Sequence, residues 1–236
     1  MIGYTRSSEP VLIDSGKARL AGVLEFPAHP CGVVLFAHGR DSSRLSARSN
    51  YLAGEMRRAG LATLLLDLFG LQEHERGELG ADIALLGARL ASTADWLAAE
   101  PETRALPLGL FGAGAETAAA LRLAAGRPAQ VAAVVSRGGR PDLAGADALR
   151  RVRAPTLLIV GEQDTAAIAS NRMALDLLDA EKDLAVIRGA TRLCDEPNPL
   201  REVARLSARW FKGYLGTQAP PRGQIAAPAP KLKPRA

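Results

Sequence analysis

Cysteine is scarce in this sequence, and the two that occur lie far apart. The 236 residues contain only Cys31 and Cys194. Neither belongs to a group of residues with the spacing of a metal site, and two distant cysteines provide no disulfide framework. This scarcity favours a reducing compartment, and the sequence predicts neither a bound metal nor a cofactor.

Long apolar runs are also absent. Residues 1–10 are polar and lack the apolar core of a signal peptide. No stretch approaches the roughly 18 consecutive apolar residues that a membrane-spanning helix requires. These absences predict a cytoplasmic protein without a membrane partner.

Acidic side chains are missing from the segment 217–236. Its basic residues account for four of the five net positive charges of the chain: Arg222, Lys231, Lys233 and Arg235. The remainder is almost neutral, which disfavours a specific nucleic-acid partner. Five prolines and few apolar residues predict that 217–236 is a disordered tail beside one folded domain, 1–216. The tail is either a solvated extension or a peptide that docks on a protein or a polyanion.

The remaining sequence alternates short apolar runs with amphipathic or alanine-rich stretches. The apolar runs predict strands at 11–13, 18–26, 31–37, 61–67, 106–111, 131–135, 155–160 and 184–187. The other stretches predict helices at 47–59, 81–99, 115–125, 146–152, 167–178 and 199–214. Because parallel strands need crossover helices, this order predicts an α/β fold: a mostly parallel, twisted sheet with helices on both faces and an antiparallel N-terminal hairpin.

One strand-turn-helix segment, 109–122, differs from the others because small residues join its strand to its helix. In an α/β sheet such a turn presents one residue at the carboxyl edge, where ligands and nucleophiles are placed. The presented residue here is Gly114, which has no side chain.

Several segments match the motifs of one family in the same order. They are the hairpin, Phe36-Ala-His-Gly39, Leu65-Leu-Asp67, Gly112-Ala-Gly-Ala-Glu116, Ser136-Arg-Gly-Gly-Arg-Pro141, Leu157-Leu-Ile-Val-Gly161 with Asp164, and Gly189-Ala-Thr-Arg-Leu193. Over about residues 20–215 the chain resembles the dienelactone-hydrolase-like branch of the α/β-hydrolase superfamily. The resemblance implies a triad: a nucleophile in Gly-x-Ser-x-Gly, an acid after the strand that ends at Val160, and a histidine after the last strand.

Two of the three implied catalytic positions lack the required chemistry. The nucleophile position is Gly114 and the histidine position is Arg192, so only the acid, Asp164, remains. Arginine is protonated at any ordinary pH and cannot act as a general base. Glu116 is a further departure, since the pattern has a small glycine there. The sequence therefore predicts a catalytically silent member of this family, which acts by binding a small ligand or a protein partner.

The resemblance also assigns roles around the triad. The backbone amides of Arg40 and Ala115 correspond to the oxyanion hole, which is an anion site even without a nucleophile. His38 lies in the His-Gly turn that shapes this loop and is expected to be structural. His29 and His74 are expected in surface loops.

Four arginines follow strand ends and should share the carboxyl edge of the sheet: Arg40, Arg137, Arg140 and Arg192. One interpretation places them in ion pairs with the acids of that edge: Asp41, Asp67, Glu116, Asp142 and Asp164. The other is that Arg192 and Asp164 form a bidentate pair in place of the histidine and its acid. This second interpretation leaves a pocket for a small anionic ligand beside Gly114, with Arg137 among the ligand-binding residues.

Two other functions stay open. The first is an active ester or lactone hydrolase with an unconventional nucleophile, for which the candidates are Cys194, Ser136 and Thr117. A structural role is the simpler interpretation of each of these residues. Alternatively, residues 112–117 form a dinucleotide fingerprint and Arg137 receives the 2′-phosphate of NADP. A threonine at the sixth position and a location on a middle strand argue against that alternative. A protein partner would contact either the basic tail or the face that carries the site.

Overall fold

The computed structural model describes residues 7–39, 43–70, 73, 82–191 and 194–216. Its strands form a single sheet: β1 (Ser7–Ser15), β2 (Ala18–Phe26), β3 (Val33–His38), β4 (Ala62–Asp67), β5 (Leu108–Gly114), β6 (Val131–Gly139), β7 (Thr156–Gly161) and β8 (Lys182–Ile187). The helices are α1 (Ala47–Arg58), α2 (Ile83–Ala99), α3 (Glu116–Gly126), α4 (Ala146–Arg151), α5 (Thr165–Leu177) and α6 (Pro197–Leu215), with a 3₁₀ helix at Pro141–Ala144.

The strand order is β1-β2-β4-β3-β5-β6-β7-β8. β1 and β2 form an antiparallel hairpin, β2 pairs antiparallel with β4, and every later pairing is parallel. The carboxyl ends of β3 to β8 therefore share one edge, and the loops that follow them meet there. This arrangement confirms the predicted fold class.

Successive residues of the central strands face opposite sides of the sheet. Val34 and Phe36 of β3 belong to the apolar core that includes α1 and α6, whereas Leu35 belongs to the core that includes α2 and α3. Because both faces are covered, β3, β4 and β7 are buried along their whole length. Because neither face of these strands contacts solvent, they appear in the sequence as continuous apolar runs.

The element ends differ from the predicted ones mainly at the strands. β1 begins at Ser7 rather than at residue 11, because it pairs with β2 along its full length. β5 and β6 continue to Gly114 and Gly139 because their glycine-rich ends still pair, Gly112 with Ser136 and Gly114 with Gly139. The predictions ended both strands at the last apolar residue, but backbone pairing does not require an apolar side chain.

None of the described helices is both long and apolar enough to cross a membrane. The predicted tail, 217–236, lies outside the described residues.

Helix α6 packs closely on the middle of β5. A Cβ atom added to Gly109 would lie 2.6 Å from Cε1 of Phe211 and 2.7 Å from its Cδ1. Phe211 is fully buried, so its ring has little room to move away. The absence of a side chain at Gly109 therefore sets the distance between this helix and the sheet.

We expect Gly109→Ala to lower the free energy of unfolding by about 1–3 kcal/mol, because overpacking a closed core forces neighbouring atoms apart. The matched control is Gly87→Ala in the interior of α2, where an added Cβ meets no atom within 4 Å. Alanine there should raise stability by up to about 1 kcal/mol through helix propensity. Urea unfolding of the two variants measures both effects, and a Gly109→Ala protein as stable as the unaltered chain would contradict this account of the packing.

Candidate functional site

The turn between β5 and α3 has a backbone conformation that residues with a side chain rarely adopt. Gly114 has φ +55°, in the left-handed region that glycine enters at little cost. Its carbonyl oxygen accepts a hydrogen bond of 2.8 Å from the Arg140 amide, which ties the turn to the end of β6. A sharply turned backbone is thus held in place at a residue that offers no side chain for chemistry.

The carboxylate of Glu116, the first residue of α3, lies over this turn. A Cβ added to Gly39, just after β3, would overlap Oε1 of Glu116, and a Cβ added to Gly114 would lie 3.4 Å from Oε2. The Glu116 side chain therefore lies between the His38-Gly39 turn and the Gly114 turn. The sequence predicts Glu116 as a departure from the family pattern and as an acid available to the edge arginines, but it does not predict this position over the turn, which depends on how two loops meet.

His38, the last residue of β3, is an internal hydrogen-bonding residue. Its Nδ1 lies 3.3 Å from the Leu66 carbonyl oxygen and its Nε2 lies 2.8 Å from Oγ of Ser49 on α1. Since a carbonyl oxygen only accepts, we place the proton on Nδ1 and let Nε2 accept from the serine hydroxyl. Burial lowers the pKa of His38 to about 4, opposed by the charge of Asp67 and assisted by Arg137 and Arg48. The imidazole is neutral at pH 7 and joins β3, β4 and α1.

Asp164, the predicted acid, follows β7. Its Oδ1 accepts a hydrogen bond of 2.9 Å from the Ala167 amide and so caps the N-terminus of α5. This carboxylate has a structural function that does not depend on a catalytic partner. Arg192, its predicted partner, lies outside the described residues, as does Arg40 of the predicted oxyanion hole. Ala115, the other predicted oxyanion residue, is half-exposed directly after Gly114.

Arg137 lies beneath the carboxyl edge of the sheet. Its side chain is only 4% exposed, and its Nη1 lies 3.1 Å from Oδ1 of Asp195, which also pairs with Arg48 of α1. Burial and the charge of Arg48 lower the pKa of Arg137 to about 10, so it still carries its charge at neutral pH. The Asp195 carboxylate thus joins the segment before α6 to both β6 and α1. The predicted set of acidic partners did not include Asp195, since no sequence pattern relates it to a strand end.

The other described charges of the edge are paired locally. Arg140 pairs with Asp142 at 2.7 Å, as the ion-pair interpretation expected. Asp67, however, accepts a 2.8 Å hydrogen bond from the Arg44 amide and pairs with the same residue's guanidinium. Arg44 was not among the predicted arginines because it lies within the loop after β3 rather than at a strand end.

His74 and Asp41 lie outside the described residues, and His29 is exposed, as expected of a surface loop.

The candidates for a substitute nucleophile are buried. Cys194 is fully buried, and burial raises the pKa of its thiol to about 11 although Arg137 acts in the opposite direction. The hydroxyl oxygens of Thr117 and Ser136 lie 3.0 Å apart in a buried pair. These groups are protonated, partnered or enclosed, and none of them has the exposure that a nucleophile needs.

The eight-stranded, mostly parallel sheet with its antiparallel hairpin and helices on both faces defines a protein of the α/β-hydrolase fold. A dienelactone hydrolase of known structure from Anabaena variabilis is 47% identical, with a TM-score of 0.86 over 89% of this chain and 99% of that one. The chain therefore belongs to the dienelactone hydrolase family.

More distant structures share the fold alone. Est1E from Butyrivibrio proteoclasticus is 14% identical, with a TM-score of 0.76 over 89% of this chain and all of that one. A dienelactone-hydrolase-like promiscuous phosphotriesterase from metagenomic libraries is 18% identical, with a TM-score of 0.71 over 89% of this chain and 99% of that one.

Two curated relatives, from two strains of Mycobacterium tuberculosis, are provisionally named phosphoribosyl transferases. Each is 46% identical over 207 residues, which is 88% of this chain and 46% of theirs. The chain spans about half the length of these relatives, so their name describes a longer protein. No protein-family model matches the chain.

The low pKa of His38 predicts how stability depends on pH. The pKa is about 4 in the folded protein and 6.5 in the unfolded chain, so the unfolded chain binds the extra proton between these values. The contribution is fully present above pH 6.5 and is lost as pH falls towards 4. From pH 7 to pH 4.5 the unaltered chain should lose about 2 kcal/mol more stability than His38→Gln, which has no proton to gain.

Urea unfolding of both proteins at several pH values measures this difference. Comparing how the free energy of unfolding changes with pH in the two proteins removes the contributions of the carboxylates that they share. Parallel pH profiles of the two proteins would show that the histidine is not held neutral by burial.

Proposed function

We propose that this protein is a catalytically silent member of the dienelactone hydrolase family and acts by binding rather than by hydrolysis. The observation that carries the proposal is the turn at Gly114. The backbone has the strained geometry of a position that presents a nucleophile, no side chain is present there, and a carboxylate lies over it.

Ester hydrolysis on this fold needs a nucleophile that attacks the carbonyl carbon and a base that takes the nucleophile's proton. The acid of the triad only orients and stabilises that base. Position 114 supplies no nucleophile and position 192 holds an arginine, which does not accept a proton at neutral pH. Asp164 remains, but an orienting acid without a histidine has nothing to orient.

An active hydrolase with an unconventional nucleophile is the competing function. The buried thiol of Cys194 and the paired hydroxyls of Ser136 and Thr117 count against those three residues. Glu116 is the remaining candidate, because its half-buried carboxylate lies at the site and could activate a water molecule. A carboxylate is nevertheless a much weaker base than an imidazole near neutral pH, so it supports little acceleration.

The dinucleotide alternative receives no support from the arrangement of its residues. Arg137, the expected receptor of a 2′-phosphate, is buried and bound to Asp195. The glycine turn also lies on β5, in the middle of the sheet, rather than on the first strand of a nucleotide-binding unit.

Two kinds of binding partner are compatible with a silent site. A small anion would use the carboxyl edge of the sheet, as the sequence predicted beside Gly114. A protein partner finds support in the length of the mycobacterial relatives, in which a segment like this chain makes up about half of a larger protein. A domain that functions beside a second domain needs a surface that contacts it, whether the second domain belongs to the same chain or to another protein.

Hydrolysis of p-nitrophenyl acetate tests the silent assignment. The unaltered chain should not exceed the buffer rate. Gly114→Ser with Arg192→His restores the nucleophile and the base, and adding Glu116→Gly restores the small residue of the family pattern. We expect the triple variant to exceed the unaltered chain by about a hundredfold or more in kcat/KM, the scale of positioned acid–base and nucleophilic catalysis.

The control is the same triple variant with Asp164→Asn, which keeps the new serine and histidine but removes the acid and should lose most of the gained activity. Turnover by the unaltered chain above buffer that disappears in Glu116→Gln would instead establish Glu116 as a catalytic group and refute the silent assignment.

A further inference from the structure

The site at Gly114 already contains a carboxylate that belongs to the chain. The side chain of Glu116 reaches back across the start of α3, and its two oxygens lie against the positions of two glycines from different loops. Oε1 fills the place that a side chain at Gly39 would need, and Oε2 lies 3.4 Å from the place of a Cβ at Gly114. A group in this position fills the space immediately above the turn.

That space is where the reacting group of a substrate would lie in an active member of the family. A serine hydroxyl at position 114 would extend one bond beyond a Cβ that is 3.4 Å from Oε2. The carboxylate of Glu116 is thus in contact with the position that the side chain of a nucleophile would occupy. Its chemistry also matches that of a hydrolysis product, since both are carboxylates.

The start of α3 favours an anion in this place. Ala115 at the N-cap has no side chain that accepts from the first amides of the helix, and Glu116 is the acidic residue of the first turn. Amides and the helix dipole at an N-terminus stabilise negative charge. The chain's own placement of a carboxylate there indicates that the location suits one.

We propose that Glu116 is the built-in ligand of this site and that its side chain, by filling the acyl position, keeps small carboxylates out. The proposal rests on the silent assignment made above and identifies the anion of the same site as the chain's own carboxylate, so an external small carboxylate enters only when the Glu116 side chain is removed. Of the two partners considered above, it leaves the protein partner for the unaltered chain. The predicted anion pocket beside Gly114 is, on this view, occupied from within.

Binding of benzoate tests the proposal, followed through the amide ¹H–¹⁵N shifts of Gly114 and Ala115. We expect Glu116→Gly to bind benzoate at least about tenfold more tightly than the unaltered chain, because it removes both the side chain that fills the space and its negative charge beside the helix N-terminus. Glu116→Gln fills the same volume without charge and should remain as weak as the unaltered chain.

Asp147→Gly is the matched control. It removes an exposed acid from the first turn of another helix, α4, where the side chain is 98% exposed. It should leave benzoate binding unchanged. Equal benzoate affinity of the unaltered chain and Glu116→Gly would overturn the proposal, and so would tight binding by Glu116→Gln or no binding by a folded Glu116→Gly.

A double-mutant cycle on stability keeps the proposal testable if Glu116→Gly folds poorly, with Glu116→Ala as the second variant. Gly39→Ala places a methyl group where Oε1 lies, so it should cost more in the unaltered chain than in the Glu116→Ala background. Additive effects would show that the carboxylate is elsewhere and would overturn the proposal. Ester turnover by the unaltered chain would refute the silent assignment, whereas the benzoate and stability measurements test the occupancy by Glu116 separately.

Discussion

Close contact between the backbone of β5 and the start of α3 is the constraint on which this structure depends. A Cβ at Gly112 would lie 2.9 Å from both the amide nitrogen and the Cα of Thr117, so only a residue without a side chain lets the helix begin where it does. The contact forces the chain to reverse within a few residues, and Gly114 takes the left-handed conformation that the reversal requires. The turn is therefore a consequence of packing and does not need a nucleophile to maintain it.

The charged side chains that are described at the carboxyl edge are also held by contacts within the chain. A buried guanidinium such as that of Arg137 is tolerated only when a carboxylate accompanies it, because removing an unpaired charge from water costs several kcal/mol. Asp195 meets this need and at the same time joins the segment before α6 to two other elements. Asp164 caps a helix and Asp67 holds the loop after β3. The described charges of this edge thus stabilise loops, and an external ligand would have to compete with partners already in place.

How much of this the sequence predicts depends on the range of the interactions. Strands such as β3 and β7 and their order follow from local apolar runs, and the family motifs follow from the segment order. Strand ends at Gly114 and Gly139 were missed because pairing between backbones leaves no trace in side-chain polarity. Asp195 and Ser49 were missed as partners of Arg137 and His38 for a different reason: each comes from a distant part of the chain, and only the packed fold determines which side chain reaches which.

The residues around the turn fit one another, so we expect that no single substitution restores activity. Gly39 leaves room for Oε1 of Glu116, whereas a Cβ at Gly114 would only touch Oε2 at 3.4 Å, so the position of the carboxylate depends on the absence of a side chain at Gly39. A serine restored at position 114 alone would meet that carboxylate and still lack a base. Groups that act as a unit lose their effect together and regain it together, so their contributions do not add. In the arrangement that we propose, the internal carboxylate of Glu116 takes the place of the nucleophile's side chain and of the acyl group that it would have met, on an otherwise unchanged scaffold.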